Sequence, residues 1–170
     1  YGKGNEADNS QVKAELIDLT ANYDNNVDSY TWDPNNEGLT FIGYSYGTAP
    51  IFHIDLQGNV NKVTDNSLCD YAELCFCGNR IYTLRHDWHM PNEIFAIDNG
   101  SARQISHEND ALLSQLGDMG KFEKRMMKCS NGDSMLVWIA YPVGYDPATC
   151  TDAEGNKKKV PTLLYCQGGP

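Results

Sequence analysis

Apolar positions in this chain gather in short β-branched and aromatic runs, and most runs stop at a Gly, Asn or Asp. Runs of roughly four to eight such residues bounded by turn residues read as strands. Helical spacing, with apolar residues three and four apart, is scarce. Strands are therefore predicted at 12–19, 39–46, 51–56, 60–64, 80–85, 93–98 and 102–106. Turns at Gln57-Gly58-Asn59, Cys77-Gly78-Asn79 and Asn99-Gly100-Ser101 separate them. The Asn-Gly pair suits a tight hairpin, because both central residues need positive φ and these two residue types reach it most readily.

The strands fall into a repeat. Ile51-Phe52-His53-Ile54-Asp55 returns 43 positions later as Ile94-Phe95-Ala96-Ile97-Asp98. Val63-Thr64 returns as Ile105-Ser106 and is anticipated by Leu19-Thr20. The units also open alike. Tyr30-Thr31-Trp32-Asp33-Pro34 precedes Leu39-Thr40-Phe41-Ile42, and Ala72-Glu73-Leu74-Cys75-Phe76 precedes Arg80-Ile81-Tyr82. A period of roughly 40–50 residues with four short strands per unit is the signature of a β-propeller blade. The reading is two full blades and the tail of a third, and because two blades cannot close a ring, the others are expected upstream in a longer parent protein.

After His107 the pattern changes. One helix is predicted over 108–116, capped by Asn109 or Asp110 and ended by Gly117. Strands at 121–128 and 134–141 flank a turn at Asn131-Gly132-Asp133. A polar loop runs from Tyr145-Asp146-Pro147 through Gly155-Asn156-Lys157-Lys158-Lys159. The last run, 160–166, is apolar throughout and leads into Gln167-Gly168-Gly169-Pro170, as a central parallel strand buried on both faces would. The fold class expected is mainly β: propeller blades over 1–107, a connecting helix and linker over 108–120, and from 121 to 170 the first strands of an α/β-hydrolase domain.

Charge and composition narrow the function classes. Thirteen basic residues against 23 acidic ones give a formal charge of −10, which argues against binding to a phosphate backbone. The acidity reads as solubility. No apolar stretch approaches the roughly 18 residues of a membrane helix, so no membrane span is expected. Tyr1-Gly2-Lys3-Gly4 lacks the apolar core of a signal peptide and reads as an internal start. The six cysteines are not spaced as in a small disulfide scaffold. Cys75, Cys77 and Cys166 lie in apolar runs and read as buried free thiols, the alternative being one bridge among Cys69, Cys75 and Cys77.

From Ser106 onward the residues resemble the junction in prolyl oligopeptidases where the last blade hands over to the hydrolase domain, nearest the dipeptidyl-peptidase and acylaminoacyl-peptidase branches. The matching series is Phe122, Asn131-Gly132-Asp133, Val137-Trp138-Ile139-Ala140-Tyr141-Pro142, Gly144-Tyr145-Asp146-Pro147, Pro161-Thr162-Leu163-Leu164-Tyr165-Cys166 and Gln167-Gly168-Gly169-Pro170. Trp32-Asp33-Pro34 resembles the family's blade opening, and Pro91-Asn92-Glu93-Ile94-Phe95 its last-blade motif. Gln167 stands where the family usually has His. The resemblance implies a serine exopeptidase acting on short peptides, with no cofactor, in a periplasmic or extracellular setting, and with the rest of the parent polypeptide as the fragment's first partner. Peptide specificity and oligomeric state are not legible.

Acyl transfer needs a nucleophile, a base and donors for the oxyanion. The chain has no Gly-x-Ser-x-Gly elbow, and His53, His86, His89 and His107 all lie in or beside the blade repeat, so none is carried over as the triad base. The chain alone is expected to be inactive. What the resemblance assigns to it is part of the oxyanion hole: the backbone N–H of Gly169, with Gly168 beside it, where the absence of Cβ permits close approach to substrate.

Other readings stay beside these. Glu73, Glu93 and Arg85 are candidates to face the propeller chamber and hold a peptide N-terminus. Trp88, Tyr82 and Phe95 read as packing between blades. Cys75, Cys77, His86 and His89 could suggest zinc, but the spacing is too short for finger patterns. Asn99-Gly100-Ser101 also fits a glycosylation sequon. The competing function is a non-catalytic propeller that binds peptide or protein partners.

Overall fold

The computed structural model describes residues 15–166. Gln167, Gly168, Gly169 and Pro170 lie outside the described residues, as do positions 12–14 of the predicted 12–19 strand. The described end of that run forms no strand and leads into a turn at Leu19 to Asn22.

The chain divides into two compact units, Tyr1–Arg85 with Ile94–Ile105, and His86–Glu93 with Ser106–Pro170. The first unit carries the blades. Strands β1 (Val27–Trp32), β2 (Gly38–Gly43), β3 (Ile51–Asp55) and β4 (Val60–Lys62) form one four-stranded antiparallel meander in that order. Strands β5 (Cys69–Cys77), β6 (Arg80–Asp87), β7 (Glu93–Asp98) and β8 (Ser101–Gln104) form a second. The 43-residue echo places β3 and β7 at the same position in successive sheets. Register follows the pattern: Leu39 faces Ile54, Phe41 faces Phe52, and Ile97 faces Ala102. The hairpin joining β7 to β8 has Asn99 at φ 48° and Gly100 at φ 81°, the two positive values its sequence anticipates. The strand predicted over 39–46 stops at Gly43 because Ser45 and Thr48 close a tight turn by exchanging backbone hydrogen bonds.

Two apolar clusters hold this unit. Ile42, Ala49, Ile51, Cys69, Tyr71 and Ile97 are buried together, and they join the two sheets. The backbone of Ala49 seals the join by donating to Asp70 Oδ1 at 2.7 Å and accepting from the N–H of Tyr71 at 2.9 Å. Phe41, Phe52 and Ile54 form the second cluster under Leu19 and Tyr23. The Tyr23 ring packs edge-on against both phenylalanines.

The alternation along β5 slips once. Glu73 has φ 54°, a bulge within the strand, and its two sides are out of phase. Cys69 and Tyr71 face the shared core before it, and Leu74 packs against the same core after it. Cys75 and Cys77 are thereby turned to the opposite, exposed face, which corrects the expectation of buried thiols. Cys166 is exposed as well, and no cysteine among the described residues is in a disulfide.

In the second unit, β9 (Lys121–Lys128) and β10 (Ser134–Tyr141) match their predicted bounds and pair antiparallel from Lys121–Tyr141 to Lys128–Ser134. The helix α1 is shorter than expected, Asp110–Leu113. It buries no residue and its Asn109 N-cap makes no side-chain capping bond. Past Leu113 the chain tightens into i→i+3 bonds at Gln115 and Leu116. The run 160–166 forms no strand, and Leu163, Leu164 and Tyr165 are exposed. A parallel strand is built by its neighbours, and no described strand pairs with this segment. No helix among the described residues is long and apolar enough to cross a membrane.

Candidate functional site

The residues expected to supply oxyanion donors, Gly168 and Gly169, lie outside the described residues. The chain that leads to them is described. β10 runs out at Tyr141, whose hydroxyl donates to Glu123 Oε2 at 2.8 Å. Arg125 grips the other oxygen of the same carboxylate through Nε and Nη2, at 3.0 and 2.7 Å. These contacts, Arg125 first, hold the Glu123 carboxyl below its ordinary range, and the hydrogen bond to Glu123 pushes the Tyr141 hydroxyl up. The Tyr145 ring stacks on Tyr141, and its hydroxyl donates to the carbonyl of Lys158 at 2.9 Å, closing the polar loop on itself. Asp152 Oδ1 accepts from the N–H groups of Glu154 and Asn156 and shapes the turn at the loop's far end. The Gly-Tyr-Asp-Pro loop is thus tied at both ends by side chains of its own sequence.

Of the candidates for a peptide N-terminus anchor, Glu73 is exposed at the β5 bulge. The Arg85 guanidinium lies over the Phe95 ring, 5.0 Å from its centroid. Glu93 is only 2 % exposed and its carboxylate is occupied. It accepts from Ser106 Oγ, from the Asn109 N–H at 2.7 Å and from Asn109 Nδ2 at 2.8 Å. The Ser106 bond, then those of Asn109, hold it at a pKa of about 2. A carboxylate so enclosed and so fully bonded presents nothing to a substrate amine. Sequence reasoning did not foresee this cluster, although Pro91-Asn92-Glu93 followed by Ser106 and Asn109 carried its parts.

The aromatic group read as packing between blades is not one cluster. Trp88 instead stacks on Phe122 at 4.5 Å between centroids and meets Trp138 edge-on at 5.4 Å, both on the β9–β10 hairpin. Phe95 is the platform for Arg85, and Tyr82 bonds Arg80. The histidines named beside zinc have other partners. His86 Nδ1 bonds Asn92 Oδ1 at 3.0 Å, and His89 Nε2 bonds the carbonyl of Gly120 at 2.8 Å. Among the described residues, no three His, Cys, Asp or Glu side chains come together where they could hold a metal. In the first blade, Asp33 links His53 Nε2 and Thr40 Oγ1, each at 2.7 Å. The carboxylate is the shared acceptor in that set and the hydroxyl does not touch the imidazole, so the trio braces the β1–β2 turn against β3 and is no nucleophile–base pair.

One shallow groove of about 510 Å³ lies in the second unit, lined mainly by Trp88, Met90, Pro91, Leu113, Leu116 and Met119. No feature of the sequence pattern pointed to it.

Comparison with known proteins places these elements. No family model matches the chain. It is 31 % identical over 151 residues to dipeptidyl-peptidase 5 of Porphyromonas gingivalis, across 87 % of this chain and 20 % of that protein. It is 33 % identical over 135 residues to dipeptidyl-peptidase 5 of Porphyromonas endodontalis, across 78 % of this chain and 18 % of that protein. The chain therefore spans about a fifth of the length of the curated relatives it matches. Among solved structures, acylaminoacyl peptidase from Pyrococcus horikoshii superposes with a TM-score of 0.56 at 18 % identity, over 73 % of this chain and 19 % of that one. An acylaminoacyl peptidase in complex with Z-Gly-Gly-Phe-chloromethyl ketone gives 0.57 at the same identity and coverage. At that identity the likeness establishes the fold.

Proposed function

We propose, from the premise that this chain belongs to the prolyl oligopeptidase family over the stretch it covers, that the whole protein is a serine exopeptidase releasing dipeptides or blocked residues from the N-termini of short peptides. The observation that carries the reading is the succession of elements in one chain. Two meander sheets of four strands are followed by the β9–β10 hairpin, the tied Gly-Tyr-Asp-Pro loop and an apolar run ending in Gly-Gly-Pro. The relatives matched across most of this chain carry the name dipeptidyl-peptidase.

In this reading the blades over 1–107 filter peptides by size, 108–120 links them onward, and 121–170 begins an α/β-hydrolase domain. The chain's own contribution to catalysis is the backbone N–H of Gly169, with Gly168 giving room beside it. That donor stabilises the negative oxygen that forms when a serine attacks the peptide carbonyl. Loss of one such donor lowers turnover by about 10²–10³. The nucleophile, acid and base come from the rest of the protein. A periplasmic or extracellular location belongs to the same proposal.

The test is labelling of the whole protein by a fluorophosphonate serine probe, combined with release of dipeptides from short peptides. Labelling together with dipeptide release is the expected result. A folded protein that binds peptides but takes up no probe points instead to a non-catalytic propeller and ends the peptidase reading.

A further inference from the structure

Among the described residues of the second unit, one side chain is shut away from solvent, and it is a carboxylate: Glu93, at the first position of β7. Burying a charge is costly unless donors meet its oxygens. Here the donors come from one stretch of chain. Ser106 Oγ donates to Oε2, while Asn109 donates to Oε1 from both its backbone N–H and its Nδ2. The backbone of Glu108 adds to the same carboxylate. Asn109 Nδ2 also reaches the carbonyl of Asn92 at 3.4 Å, so two consecutive residues receive the segment.

α1, which follows at once, buries no residue and is four residues long, too short to hold itself in water. We propose that Glu93 is a latch. It fastens the crossing segment 106–109 to the start of β7, and so acts as a positioning residue for the chain that leaves the second blade. A polar fastening suits this place. Apolar burial holds many arrangements of similar energy, whereas one carboxylate met by several donors from one short segment admits a single geometry. The proposal does not depend on the peptidase reading, because it is read without substrate.

Hydrogen exchange of the full chain tests it, in the unmodified protein, Glu93→Ala and Glu93→Gln. Removing the carboxylate orphans its donors, and amide exchange over 106–113 is expected to rise about tenfold or more in Glu93→Ala. Amides of β2 and β3 should keep their protection. Glu93→Gln should recover most of the loss, since its Oε1 still accepts from Asn109 and its Nε2 can donate to the Ser106 hydroxyl. Unchanged exchange over 106–113 in Glu93→Ala overturns the proposal. So does a uniform rise across both units with Gln no better than Ala, which would make Glu93 a general stabiliser. Should Glu93→Ala fail to fold, Ser106→Ala and Asn109→Ala each remove a donor only. A smaller rise confined to the same segment is then expected, and no rise in either variant is equally fatal.

Discussion

The blades and the second unit draw on the same kind of strand, short, carrying apolar runs and closed by Asn, Asp and Gly turns, yet they bury their side chains very differently. Ile42 and Ile51 in the blades have no exposed surface. Met126, Met127 and Met135 on the β9–β10 hairpin are about half exposed, and Leu163 is 93 % exposed. The contrast lies in where each strand finds its neighbours. A blade is a local product, in which each strand pairs with the next one in sequence and the sheet closes within one repeat. The β9–β10 hairpin is just as local, but its sheet has two strands only, and they find no further strand neighbour among the described residues. Apolar runs of similar composition are thus a core in one region and stay exposed in the other.

The sharpest way to break this comparison is to cut the same amount of apolar surface from each side. Ile51→Ala should cost roughly 2–5 kcal/mol of blade stability, the range for a buried aliphatic truncation. Met135→Ala, on an exposed strand position, should stay within about 0.5 kcal/mol. Urea titrations followed by far-UV circular dichroism would show both, and equal losses would undo the contrast. Next in size is Gly38→Ala. A Cβ there meets the carbonyl oxygen of Ile54 and comes within 2.6 Å of His53 Nε2. Relief would have to disturb the 2.7 Å bond from His53 to Asp33, so a loss of about 1–3 kcal/mol is expected in the same titration.

A smaller effect is expected where the second unit does make ring contacts. Trp88→Ala removes the stack on Phe122 and the edge contact with Trp138, each worth about 0.5–1.5 kcal/mol beyond area. It should loosen the hairpin, seen as a red shift of Trp138 emission, and leave the blade melt unchanged. The mildest intervention is acid. The Glu93 pKa is held down to about 2 from an ordinary 4.5, so its contribution is complete above pH 4.5 and is lost as pH falls from there towards 2. His107 and Asp110, paired at 2.9 Å just beyond the latch, lie on the same crossing segment. Limited proteolysis over that pH window should cut at 106–116 before the blades, and Glu93→Gln should flatten the dependence.

The sequence made some elements plain and hid others, for physical reasons. β7, β9 and β10 were legible to the residue because turn and polar residues bound their apolar runs. β1 was seen only as a unit opening. The helix was overextended because an apolar pattern at 108–116 cannot show that no residue of α1 is buried; Ser114 Oγ and Gln115 Nε2 instead turn back onto the Ala111 carbonyl. The outward cysteines were hidden by a bulge at Glu73, a residue type that gives no sign of positive φ. Of the site, Gly168 and Gly169 lie outside the described residues, and the Glu93 cluster was not legible. Its members lie 13 and 16 positions apart and follow no period.

The aromatic cluster on the hairpin also decides what a spectroscopist would see. Of the three tryptophans, Trp88 and Trp138 touch each other in the second unit, and only Trp32 belongs to a blade. Eight of the ten described strands, by contrast, are in the blade sheets. Tryptophan emission therefore reports chiefly on the region with almost no core, and far-UV ellipticity on the region that has one. Melting curves from the two probes should separate, the fluorescence leading, and their disagreement would measure how independently the two units come apart.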